Sequence, residues 1–182
     1  MDHTAGGYRE IAVPVSVFAA LRRELAKGAG PLPTIHALYA AGFAAGEEAS
    51  SVFAGSTDED VGALPEDAFW SRLVAFFSRR GWGTLSREGD SLAVGMLASP
   101  DWAESADAPP EGDENASCSF STGFLAGLLT RLAGGRVAVL EVTCRSRGDD
   151  RCTFAFGSES AIHELYGQLL DGARLEEALS SL

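Results

Sequence analysis

Cys118, Cys144 and Cys152 are the three cysteines of the chain, and Glu141 lies among them. Three thiolates and one carboxylate complete a tetrahedral shell around a single Zn²⁺. A full shell of that kind leaves no open coordination position, so it clamps chain segments together rather than acting as a Lewis acid. The ligand types alone also admit ferrous iron, although tetrahedral thiolate-rich shells favour zinc. Two other readings of the same residues stand beside the metal: a cross-strand disulfide between Cys144 and Cys152, and plain burial of thiols as small hydrophobes.

Spacing sets conditions on the elements that must carry these residues. With a hairpin turn centred on Gly148, Cys144 and Cys152 fall opposite each other, with Cβ atoms ~4.5–5.5 Å apart. Cys118 opens a helical segment, where the positive end of the dipole stabilises a thiolate. Glu141 precedes Cys144 by three residues, and in a flat strand an odd separation points to opposite faces. Both side chains reach one metal only if the strand twists sharply or bulges near Val142-Thr143, so a local irregularity is expected there.

The hydrophobic periodicity supplies the supporting elements. Pro14 precedes a helical pattern, Val15, Phe18, Leu21 and Leu25, that stops at Lys27-Gly28. A second helix runs from Thr34 to about Phe53, with Gly42 and Gly46 on one side. A third starts at Leu64-Pro65-Glu66-Asp67, carries Phe69, Leu73, Phe76 and Phe77, and ends at Arg79-Arg80-Gly81. Residues 83–87 and 91–97 read as a hairpin turning at Glu88-Gly89-Asp90. Residues 99–116, rich in Pro, Asp, Glu and Ala, read as a surface loop or short irregular helix. A helix from Ser117 to about Leu132 stops at Gly134-Gly135. Strands follow at 136–145 and 151–156, then a helix from Glu159 to Leu170 and a short one within 174–182. The expected architecture is α+β: one antiparallel four-stranded sheet of two hairpins, with helices packed on it, most simply on one face. The pattern Gly-Phe-x-Ala-Gly recurs at 42–46 and 123–127, which reads first as alanine–glycine bias and second as the mark of two equivalent helices.

A length of 182 residues suits one domain over 1–182. A net charge of −12 argues against direct binding to nucleic acid or anionic membrane. No stretch approaches the ~18 apolar residues of a membrane span, and the N-terminal residues lack a signal-peptide pattern. A cytoplasmic, reducing location is therefore expected, which favours thiols over disulfides.

The runs Cys118-Ser119-Phe120-Ser121-Thr122-Gly123-Phe124-Leu125-Ala126-Gly127, Val139-Leu140-Glu141-Val142-Thr143-Cys144 and Gly148-Asp149-Asp150-Arg151-Cys152-Thr153-Phe154 resemble the 4-vinyl-reductase-type domain, over a motif core of about residues 118–157. A weaker likeness lies at residues 41–46. The resemblance implies a small-molecule-binding module. It is similar to the sensor domain of aromatic-responsive transcription activators and, in fold, to TRAPP-type tethering subunits. It implies that Cys118, Glu141, Cys144 and Cys152 hold a structural zinc. It also implies an apolar pocket, for which Tyr39, Phe43, Phe69, Leu73, Met96 and Phe124 are the candidate walls, although core packing accounts for each equally well.

No nucleophile elbow, phosphate loop or dinucleotide fingerprint is present. His3, His36 and His163 fall in no metal or catalytic spacing. The leading expectation is a sensing or binding module for a small apolar or aromatic molecule, working through a protein partner or as a homodimer. The alternatives are an accessory protein or enzyme of tetrapyrrole vinyl reduction, and a scaffold or assembly subunit. An enzyme is the less favoured class, because hydride chemistry calls for a cofactor whose binding motif is missing.

Overall fold

A computed structural model describes residues 9–55, 61–89, 93–106 and 116–182. Six helices and four strands follow in the order α1 (Ser16–Ala29), α2 (Pro31–Ala54), α3 (Glu66–Arg79), β1 (Ser86–Glu88), β2 (Val94–Ser99), α4 (Ser119–Ala133), β3 (Ala138–Thr143), β4 (Cys152–Gly157), α5 (Glu159–Leu170) and α6 (Leu175–Ser180). The fold is α+β with a four-stranded antiparallel sheet, as the two hairpins predicted. The tip of the first hairpin, residues 107–115 of the 99–116 loop and His3 lie outside the described residues.

The local signals explain the boundaries. Pro31 occupies the first position of α2, where its missing N–H is not needed. Glu66 and Asp67 sit in the first turn of α3 and complement its dipole. Gly134 ends α4 in the left-handed conformation. The Ser158 hydroxyl accepts from Ala161 N–H and caps α5.

The strands join in the order β1-β2-β4-β3, so β2 and β4 bring the two hairpins together at the centre. Alternation along these strands sends side chains to two cores rather than one. Leu97, Val139 and Phe154 face Phe53 of α2, Leu73 and Phe77 of α3, and Leu125 and Leu128 of α4. Val94, Met96 and Ala155 face Ile162 and Leu165 of α5 and Ala178 of α6. The simplest expectation, helices on one face, is therefore corrected: both faces of the sheet carry apolar side chains, and both are covered.

The repeated Gly-Phe-x-Ala-Gly pattern has a structural meaning. A Cβ on Gly42 or Gly46 would lie 2.0 or 2.1 Å from the carbonyl oxygens of Phe120 and Phe124. Reciprocally, a Cβ on Gly123 or Gly127 would lie 2.1 Å from those of Tyr39 and Phe43. The two copies thus mark α2 and α4 packed backbone to backbone, running in the same direction, each using its glycines as the bed for the other's carbonyls. Alanine–glycine bias is not the explanation.

Candidate metal centre

Three elements converge on the cysteines. Cys118 is the N-cap of α4, Glu141 lies on β3, Cys144 immediately follows β3, and Cys152 opens β4. The β3–β4 register steps from Glu141↔Phe154 to Thr143↔Thr153, so one residue is skipped between Glu141 and Thr143. That bulge is the irregularity the sequence required, and it turns Glu141 and Cys144 toward one point. Beyond it the chain makes a tight turn, with the amides of Arg147 and Asp149 donating to Cys144 carbonyl oxygen at 2.8 and 3.3 Å. The Asp149 carboxylate accepts from Cys144 N–H at 2.7 Å, and Gly148 takes φ 99° to close the loop.

The three thiols are free and fully buried. Cys118 Sγ lies 3.7 Å from Cys144 Sγ and 3.8 Å from Cys152 Sγ, and one ligand atom from each of the four residues falls within 4.8 Å of all the others. Four ligands held ~2.3 Å from a tetrahedral centre stand ~3.8 Å apart, whereas a disulfide needs ~2.05 Å. The residues present therefore fit a tetrahedral thiolate-rich metal ion.

Charge is arranged around the cluster. Glu141 accepts from Cys118 N–H through both oxygens, at 3.1 and 3.0 Å. Burial, with the neighbouring Cys144 adding to it, pushes the Glu141 carboxyl up to about 8. The Cys118 thiol is raised because it donates to the neighbouring sulfurs of Cys144 and Cys152. Cys152 is lowered to about 4 because its thiolate accepts from Cys118 and Cys144, with help from Ser105. Four anionic ligands on a divalent ion leave a net charge of about −2. Arg147 stands 4.0 Å from the Glu141 carboxylate and donates to Val142 carbonyl oxygen at 3.2 Å.

A short 3₁₀ turn at Ala103–Ser105, within the stretch read as a loop or short irregular helix, supports the cluster from behind, and sequence reasoning missed its buried Glu104. Glu104 is 4% exposed and accepts from the amides of Phe120 and Ser121, at 3.1 and 2.7 Å, and from the Ser121 hydroxyl. Trp102 Nε1 donates to the same hydroxyl at 2.7 Å, and Arg145 reaches the Ser105 hydroxyl at 3.5 Å. Two buried carboxylates thus divide the unpaired amides at the start of α4: Glu141 takes Cys118, and Glu104 takes Phe120 and Ser121. The one available signal was a Trp-Ala pair beside Glu104 inside an otherwise Pro- and acid-rich stretch.

The six candidate pocket walls do not enclose one space. Tyr39 and Phe43 stack along α2 with ring centroids 6.4 Å apart, Leu73 is fully buried, and Phe124 packs against Phe77 and Trp82. Met96 lies on the opposite face of the sheet, in the core under α5 and α6. Phe69 lines a cleft of about 350 Å³, whose walls come from Val61, Leu64, Glu66 and Trp70 on one side and Leu129, Leu132, Val137 and Phe156 on the other. Phe156 is held there because its ring lies across Gly95 on the neighbouring strand, where a Cβ would meet it at 2.1 Å.

Residues 102–158 match the 4-vinyl-reductase (V-4-R) domain family. No curated protein matches the chain. Among solved structures, the chain is similar to the phenol-responsive sensory domain of the transcription activator PoxR, solved with phenol. That similarity has 16% identity and a TM-score of 0.66, and covers 87% of this chain and 83% of that one. It is also similar to trafficking protein particle complex subunit 3 from Naegleria fowleri, covalently bound to palmitic acid. There the identity is 14% and the TM-score 0.63, with 79% and 91% of the two chains covered. A vinyl-4-reductase family protein from Methanocaldococcus jannaschii aligns at 19% identity and a TM-score of 0.46, over 81% and 83% of the chains. The segment that holds the 102–105 turn and all four converging side chains is thus the part of the chain that matches the 4-vinyl-reductase domain, on a fold like that of the PoxR sensory domain.

Proposed function

We propose that the chain is a single small-molecule-binding domain of the sensory kind, spanning 1–182, in which Cys118, Glu141, Cys144 and Cys152 hold a structural zinc ion and the cleft between α3, α4 and the sheet receives a small apolar or aromatic ligand. The observation that carries the reading is the convergence of the four donors at tetrahedral spacing. The family match over 102–158 and the fold shared with a phenol-responsive sensory domain support the ligand-binding half. The zinc would lock the first turn of α4 to the β3–β4 turn, and a cytoplasmic setting would keep the thiols reduced.

Elemental mass spectrometry of the purified protein tests the metal. The expected result is about one zinc per chain, lost on chelation together with a fall in melting temperature. Because structural zinc is coupled to folding, Cys144→Ser should lower the melting temperature by about 10 °C or more even in excess zinc. Three freely titrating thiols, no metal and an unchanged melting temperature in the variant would overturn the site.

Assembly with a second copy is favoured by a separate observation. Ile11, Val13, Val15, Leu21, Leu25 and Leu32 are large apolar residues exposed by 38% or more, and all lie in or beside α1. We infer that this strip is covered in a homodimer.

A further inference from the structure

The cleft carries one charged wall residue, and its surroundings define what head group belongs there. Glu66 opens α3 and accepts from Trp70 Nε1 at 3.3 Å, so its carboxylate and the indole form a common rim. Arg87 of β1 ion-pairs with Glu66, and its guanidinium stands 5.1 Å from the centre of the Trp70 ring. A carboxylate and an aromatic face acting on the same point select a cation over a neutral group of the same shape. The chain's own guanidinium occupies that point and so marks what it accepts. Its hold is weak, because the side chains of Arg87 and Glu66 are 44% and 63% exposed, and exposed pairs of this kind contribute little. The remaining walls are apolar, and about 350 Å³ is near the lower end of ligand-pocket volumes, enough for one or two rings.

Resting on the ligand-binding reading above, we propose that the cleft takes a small aromatic amine. Its ring lies among Phe69, Trp70, Leu129, Leu132 and Phe156, and its ammonium displaces Arg87 from Glu66 and the Trp70 face. The net charge of −12 adds long-range attraction for a cationic ligand. The alternative, a carboxylate ligand bound by Arg87, makes the opposite prediction for the arginine.

Three probes of one shape separate these readings: naphthylmethylamine, naphthylmethanol and naphthoate, titrated into the full-length zinc-loaded protein by calorimetry, with circular dichroism to verify the fold of each variant. The amine is expected to bind about tenfold more tightly than the alcohol. Arg87→Ala should strengthen amine binding several-fold and leave the alcohol unchanged. Glu66→Gln should erase the preference for the amine. Equal binding of amine and alcohol would overturn the amine assignment while leaving a ligand cleft. So would tightest binding by naphthoate with loss in Arg87→Ala. Failure of all three probes to bind, or binding that Leu129→Trp leaves unchanged, would overturn the cleft as the binding site of the proposed module.

Discussion

Cys118 is gripped through two atoms at once: its sulfur faces Cys144 and Cys152, and its amide donates to Glu141. Glu104, one turn deeper, does the same service for Phe120 and Ser121 without touching the sulfurs. Burial is the main reason that its carboxyl is raised from 4.5 to about 7, against the pull of the Ser121 hydroxyl and amide and the Phe120 amide. A carboxyl raised in the folded state gives stability that is complete below its unfolded pKa and is lost as pH rises through the folded one. Glu104→Gln loses one accepting oxygen at every pH, but the difference between variant and wild type should shift in the variant's favour as pH rises from about 4.5 to about 7 and level off above that. Denaturant unfolding of both proteins across that range checks this, and taking the difference at each pH cancels metal release common to the two. A constant difference would contradict the shift.

How much of this site was legible depends on the residue. The cysteine and glutamate types and their separations were enough to demand an irregularity near Val142-Thr143, a sharp twist or a bulge, because regular strand alternation points Glu141 and Cys144 to opposite faces; the structure has the bulge. Glu104 was not legible, since its value lies in burial against a helix start that is distant in sequence. The pocket walls were hard to read for a related reason. An aromatic side chain reads the same in a core as in a cleft, and Met96 could be assigned to a face only once the pairing of β2 with β4 was known.

At the scale of elements, the α2–α4 pair is the most constrained part of the fold. Its four glycines place backbone against backbone, where neither side can yield as a flexible side chain would. Gly123→Ala should destabilise the protein by about 3 kcal/mol or more, measured by chemical unfolding. Gly167→Ala on α5 is a control, since a Cβ there meets nothing within 4 Å. The helix pattern itself was readable from spacing, and α5 runs over the predicted Glu159–Leu170. The mutual embrace of α2 and α4 was not, because glycine records that something comes close without recording what.

For the whole molecule, apolar exposure and charge point in different directions. The chain carries a net charge of −12, yet α1 contains no buried residue and presents Leu21 and Leu25 at 46% and 38% exposure. Its inner side is engaged, where the Phe18 ring packs at a tilt against Trp82 and Phe120 with centroids 6.0 and 5.4 Å apart. The homodimer proposed above would cover this outer side. Light scattering coupled to gel filtration should give a dimer for the wild type and a monomer for a Leu21→Glu/Leu25→Glu variant. A monomeric wild type at all concentrations would refute the homodimer.

Helix α4 starts at the cysteine cluster and ends, through Leu129, Leu132 and Ala133, in the wall of the cleft. Fifteen helical residues span ~22 Å, so one stiff rod has its two ends at the two sites proposed above for metal and ligand. Occupancy at either end favours the ordered rod, and thermodynamic reciprocity then applies. Whatever factor the metal contributes to cleft affinity, a molecule in the cleft returns to the retention of the metal.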